Sequence, residues 1–177
     1  MRKIILLIVL GSLLLVGVYQ FLKTPRSSKE KIDLNLSADL EARGVTLMGQ
    51  SEKGSWELKI GRLIYHLGED LIEGEKVDLR VTLKDGRRIE ASSERGRAKR
   101  GGGEFVELEG NVRVKLEEWL LEAPFLRYDP SKGYLESPYS VHMKKSDLNL
   151  SGKGLQVDLK EGKLRLGTVK ILIEGKG

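Results

Sequence analysis

The 177-residue chain contains no cysteine. That excludes disulfides and thiolate metal sites, though not an oxidising compartment. Histidine occurs only twice, as His66 and His142, in different strand-like runs with no acids arranged around both. The pattern predicts solvated strand histidines and no metal site. Asn and Gln occur three times each, whereas charged residues make up 32%. That mix is seen in thermophile proteins. A basic excess is also missing. The net charge is +5, but Met1–Lys23 holds Arg2, Lys3 and Lys23 and no acid, so the remainder is nearly balanced. A nucleic-acid-binding domain would show a clear positive surplus.

Catalytic signatures are absent too. Gly49-Gln50-Ser51-Glu52-Lys53 lacks the final glycine of a nucleophile elbow. Arg100-Gly101-Gly102-Gly103 is glycine-rich, but no Lys-Ser/Thr follows it, so it reads as a flexible turn and not as a phosphate loop. The acidic pairs Glu69-Asp70 and Glu117-Glu118 fall at turns and strand ends, and nothing singles out a carboxylate pair for acid–base work. The expectation is a protein without an active site and without a cofactor. Aromatics are few, at 6%. They sit mostly at strand ends, leaving an aliphatic lining that suits flexible acyl chains better than flat rings.

One long apolar run is present. Ile4 to Leu22 holds no charged residue. As a helix it spans roughly 28 Å, close to the thickness of a bilayer core. It is longer than the core of a cleaved signal, and its end, Val18-Tyr19-Gln20-Phe21-Leu22-Lys23, offers no small-x-small site. Lipid modification would need a cysteine. The segment therefore reads as an uncleaved single-pass anchor. Arg2 and Lys3 place its N-terminus in the cytoplasm by the positive-inside rule, although Lys23, Arg26 and Lys29 follow on the other side. Gly11, Ser12 and Gly17 form small patches that either admit a second transmembrane helix or reflect the ordinary composition of such helices.

The predicted organisation is a cytoplasmic tip and anchor over 1–23, a linker over 24–37 begun by Pro25, and an all-β domain over 38–177. Period-two alternation marks Val77 to Leu83, Val106 to Leu116, Leu155 to Leu159, Leu164 to Leu166 and Val169 to Ile173. No window after the anchor holds a sustained 3.6-residue apolar period. Ser37 to Arg43 is the best short helical candidate, and it reads better as an entry turn or strand. Lys84-Asp85-Gly86-Arg87 and Asp129-Pro130-Ser131-Lys132-Gly133 are turns, as are Glu52-Lys53-Gly54 and Lys160-Glu161-Gly162-Lys163.

The strands repeat. Leu58 to Tyr65, Ala91 to Ala98, Leu121 to Tyr128 and Leu150 to Val157 each place one small or apolar residue three before another. The pairs are Ile60/Leu63, Ser93/Gly96, Ala123/Leu126 and Gly152/Leu155, spaced by 33, 30 and 29 residues. Each unit then carries a second strand. The small mid-strand residue predicts a bulge or bend at one place in every unit. Such units stack into an elongated β-jellyroll of bent antiparallel strand pairs, two facing sheets open on one side, with a strand edge at each end. One basic cluster, Arg87, Arg88, Arg95, Arg97, Lys99 and Arg100, is either a contact for an anionic partner or, the plainer reading, a solvated strand face.

Several stretches resemble a known family. Leu108-Glu109-Gly110-Asn111-Val112-Arg113-Val114 resembles the recurring L-x-G-N-V-x-V of the OstA/LptA/LptC group. Ser93-Glu94-Arg95-Gly96 resembles its A-x-x-G, with serine for the usual alanine. Leu126-Arg127-Tyr128-Asp129 followed by Gly133, and Leu150 to Leu155, resemble its later repeats. Behind an uncleaved anchor, their order is similar to that of the LptC family, the membrane-anchored periplasmic component of lipopolysaccharide export; the sister LptA carries a cleaved signal.

The resemblance implies a non-enzymatic conduit in the inner membrane, N-terminus cytoplasmic and β-domain periplasmic. It implies that lipopolysaccharide arrives from an ABC transporter, is shielded in an apolar groove and passes to an LptA-like protein by edge addition. Groove candidates are Leu58, Ile60, Leu79, Val81, Leu108, Val112, Val114, Leu121, Val141, Val157, Leu166 and Ile171. The partner edge is Val169, Lys170, Ile171, Leu172 and Ile173. Two rival readings are a protein-binding scaffold with a filled core and a polysaccharide-binding or hydrolytic β-solenoid.

Overall fold

The computed structural model describes residues 39–51, 54–99, 103–158, 160–161 and 163–173. The expected anchor with Gly11, Ser12 and Gly17, the linker, and parts of three turns (Glu52-Lys53, Arg100-Gly101-Gly102 and Gly162) lie outside the described residues. Nine strands follow one another: β1 (Leu40–Ser51), β2 (Gly54–His66), β3 (Leu71–Leu83), β4 (Arg88–Lys99), β5 (Phe105–Leu116), β6 (Trp119–Asp129), β7 (Tyr134–Lys145), β8 (Leu148–Asp158) and β9 (Lys163–Ile173). They form one antiparallel sheet in chain order, so every connection is a hairpin and β1 and β9 are its two edges. The expected pair of facing sheets is thus one continuous sheet. Of the short helical candidate over 37–43, the described residues 40–43 belong to β1 and not to a helix.

A line of irregularities crosses the sheet near the strand midpoints. Gly44 has a positive φ of 60°, and Lys76 one of 55°. Gly110 and Asn111 follow at 78° and 45°, Gly154 at 75° and Thr168 at 43°. The register shifts between Ser92 and Arg95, Glu109 and Val112, Glu122 and Arg127, and Ser137 and Ser140. Left-handed φ favours Gly and Asn, which explains why Gly110-Asn111 can sit inside a strand without ending it. Glu94 on the neighbouring strand accepts a hydrogen bond from Asn111 Nδ2 (2.5 Å).

The bulges also explain the repeated spacing. In a regular strand residues three apart face opposite sides. Ser93 and Gly96 flank exposed Glu94 and Arg95. Both Ala123 and Leu126 are buried although they are three apart, as are Gly152 and Leu155. The two intervening residues absorb the bend and reset the parity. Each strand therefore has two halves whose inward side chains lie on one face. The first half-sheet carries the β1–β2, β3–β4, β5–β6 and β7–β8 hairpins, and the second carries the others.

Small residues at the bend let one half lie against the other. A Cβ on Gly74 would come 3.0 Å from Ile60 Cγ2, and one on Gly96 3.1 Å from Val77 Cγ2. At Gly152 it would collide with the Leu166 side chain.

Turn chemistry closes the hairpins. Gly86, at φ 87°, donates its N–H to Leu83 O at 2.9 Å, and Leu83 N donates to Arg87 O at 2.9 Å. After β6, the Asp129 carboxylate accepts from Ser131 Oγ (2.6 Å), Ser131 N (3.0 Å) and Lys132 N (3.1 Å). The Ser131 hydroxyl first, then the Lys132 amide and ammonium, outweigh burial and hold the Asp129 acid down to about 2. Asp158 repeats the device after β8, accepting from Lys160 N and Glu161 N at 2.9 Å each.

Candidate functional site

The inner face is built row by row from paired residues. In the first half-sheet one row runs Leu47, Leu58, Leu79, Ala91, Val114, Leu121, Met143, Leu150 and Ile171. In the second, one row runs Tyr65, Ile72, Ala98, Val106, Tyr128, Leu135, Val157 and Leu164. The two halves share one apolar cluster. Among the described residues only the sheet itself is available to cover this face, so its burial comes from the two halves closing on each other.

All twelve sequence-expected groove residues lie on this face by pairing, and eleven of them are covered there. Leu58, Ile60, Leu79, Leu108, Val112, Leu121, Val141 and Val157 are buried, and Val81, Val114 and Leu166 are partly buried against them. Ile171 is different. It pairs with Leu150 but is 59% exposed, because among the described residues no strand pairs with the outer side of β9. The middle of the lining is closed: Val141 is 0% exposed, and Val112 and Val157 are each 1% exposed. The expected open groove is therefore a packed seam at its centre. A mixed polar and apolar pocket opens instead at the first half-sheet's rim. It measures about 510 Å³ and is bordered by Met48, Gly49, Trp56, Val81 and Ile89 together with polar Gln50, Ser55, Glu57, Arg80, Thr82, Arg88 and Glu90. The Trp56 indole lies over Gly49, where any Cβ would collide with the ring.

The residues expected as the partner edge lie on β9, the last strand of the described sheet. Val169 is 47% exposed and Leu172 51%, and Lys170 is exposed as well. Ile173 belongs to the strand. The opposite edge, β1, leaves Leu40 56% and Met48 74% exposed. Bare backbone with apolar side chains is a template for another strand.

Three members of the basic cluster meet carboxylates, one within its turn and two across strands. Arg87 binds Asp85, and Arg95 reaches Glu109 at 2.9 Å. Arg97 reaches Glu73 at 3.2 Å and Glu107 at 3.7 Å. Arg97 and Arg127 both approach the Phe105 ring, at 5.9 and 5.1 Å from its centre. Arg88 is exposed and Lys99 half-buried, and Arg100 lies outside the described residues. The histidines stand apart. His142 Nδ1 lies 2.9 Å from Ser151 Oγ. His66 bridges Asp39 (3.0 Å) and Glu73 (3.3 Å), and the Glu73 carboxylate first, with Asp39, raises its pKa above 6.5.

Two features escaped the sequence reading. Phe125 and Tyr139 are not at strand ends but at the bend, in edge-to-face contact at 6.1 Å. Ser137 is 1% exposed and its hydroxyl has no hydrogen-bond partner among the described residues. Its only signal was a serine in an otherwise apolar inward set, just before Pro138.

Comparison with known proteins places the chain in a family. A family model described as "Lipopolysaccharide-assembly, LptC-related" matches residues 4–174. No curated protein matches the sequence. Among solved structures, the chain is similar to LptH, the LptA-homologous periplasmic component of the conserved lipopolysaccharide transport device from Pseudomonas aeruginosa. The identity is 7% and the TM-score 0.45, over 78% of this chain and 96% of that one.

Proposed function

The chain belongs to the LptC family of lipopolysaccharide-assembly proteins, and on that premise we propose that it is a non-enzymatic carrier on the lipopolysaccharide export path. It sits on the inner membrane by the helix at Ile4–Leu22, with its β-domain in the periplasm. It receives lipid from an ABC transporter, holds the acyl chains on the inner face, and passes them to an LptA-like protein added at β9. The family match begins at residue 4, so it takes in the apolar segment as well as the sheet.

The observation that carries this reading is the continuous inward apolar face shared by two half-sheets of one open sheet. Burial of an acyl chain is worth about 0.8 kcal/mol per CH₂, so one chain offsets much of the packing given up when the halves part. Because the centre is packed, loading has to separate them. The lipid then moves on when the next protein offers an equal lining, and ATP hydrolysis elsewhere supplies direction.

A photo-crosslinker at Leu121, compared with one at Lys160 on an exposed turn, tests this in cells. Lipopolysaccharide adducts at Leu121 and none at Lys160 are expected. Absence of adducts at Leu121, or equal labelling at both, would leave the scaffold reading, in which the core is filled and binds no lipid.

A further inference from the structure

The ladder between β6 and β7 is breached. Pairing stops at Glu122 with His142 and resumes at Arg127 with Glu136. The gap holds Pro124 and Pro138, neither of which has an N–H to donate. Outside, the breach is bordered by exposed Pro124, Pro138 and Tyr139, with Phe125 half-buried against the Tyr139 ring. Inside, Ala123, Leu126 and Val141 are buried. The inward set of β7 also contains Ser137, opposite Leu155, and its hydroxyl is buried with no partner. A hydroxyl left unpaired in an apolar lining is costly, and removing it would by itself stabilise the fold.

We infer that the β6–β7 breach is a binding site for a single alkyl chain that carries a hydrogen-bonding group, with Ser137 Oγ as the polar contact. The breach lies between the outer aromatic pair and the buried inner residues, and Ser137 Oγ is the buried side-chain polar atom there that has no partner among the described residues. A plain hydrocarbon would leave the hydroxyl unpaired, whereas a chain with an ester or hydroxyl satisfies it. This rests on the carrier reading and names where on the sheet one acyl chain is held.

The test uses the full chain in detergent, with a benzophenone amino acid at Tyr139 and, separately, at Leu121. Each is exposed to lipopolysaccharide and to phosphatidylethanolamine vesicles, with and without Ser137→Ala. Lipopolysaccharide labelling at both positions is expected. Ser137→Ala should weaken labelling at Tyr139 roughly fivefold, the net worth of one hydrogen bond, leave Leu121 unaffected, and keep or raise the melting temperature. Ser137→Thr should restore the Tyr139 signal. Labelling at Leu121 alone, or Tyr139 labelling indifferent to Ser137→Ala, overturns the site while leaving the carrier intact. Equal labelling by phosphatidylethanolamine overturns the assignment to lipopolysaccharide. No labelling at either position overturns the carrier reading itself.

Discussion

The centre and the edges of this sheet carry the same alternating pattern and meet opposite fates. Val141 on β7 is 0% exposed, while Ile171 on β9 is 59% exposed. Both are apolar and inward by pairing. The difference is the number of strands beside them. A central strand is covered by two neighbours and by the opposite half-sheet, whereas an edge strand lacks one neighbour and much of the cover. Apolar surface kept at an edge is either a liability or a docking site. Under the proposed function the β9 edge is a docking site.

The largest expected break in this comparison is Val141→Asp. It places a carboxylate where water does not reach, at a cost of more than about 4 kcal/mol, so the domain should be unfolded in circular dichroism at room temperature. The double change Val169→Lys/Ile171→Lys should leave stability within about 0.5 kcal/mol. It should abolish capture of an LptA-like partner. Loss of folding in that variant would mean that β9 is a core strand after all.

The bends allow a finer comparison. Gly110 and Gly154 have nearly equal φ, 78° and 75°. A Cβ at Gly110 would strike the Glu94 side chain, whereas at Gly154 it would meet open space. Backbone strain alone costs about 1 kcal/mol. Gly154→Ala should therefore lower stability by about 1 kcal/mol, and Gly110→Ala by roughly 2–3 kcal/mol once the collision is added. Equal urea midpoints for the two would contradict the role given to the Glu94–Asn111 contact.

The smallest expected effect lies at the corner where the chain enters β1. Both ring nitrogens of His66 lie near carboxylates, and Arg97 shares Glu73 with it. The raised pKa means that folding favours the imidazolium. Its stabilisation is complete below the unfolded value near 6.5 and is lost as pH rises through the higher folded value. His66→Gln should remove that decline and little else, as seen in thermal melts from pH 5 to 9.

Much of this was legible in the sequence because β-structure repeats locally. Period two revealed the strands, Asp85-Gly86 the hairpin, and the three-residue spacing of Ser93 and Gly96 or Ala123 and Leu126 the bend. Gly110-Asn111 taken alone is a turn signal and is here a bulge, as the continuing alternation of Val112 and Val114 required. What stayed hidden depends on neighbours that a single strand does not specify. Nothing in Val169-Lys170-Ile171 says that this strand lies at the rim of the described sheet. Nothing in Val112 or Val141 says that the opposite half-sheet lies close enough to exclude water. Ser137 was hidden for the same reason, since a serine on a strand is ordinary until its partners are counted.

The closed centre gives the most direct test of lipid carriage. The chain has no native cysteine, so spin labels can be placed cleanly at Lys115, exposed on the first half-sheet, and Glu136, exposed on the second. Pulsed electron–electron distances should be short and narrow without lipid and should lengthen when lipopolysaccharide is bound, as the halves part around the acyl chains. An unchanged distance in protein that demonstrably holds lipopolysaccharide would contradict carriage on the inner face.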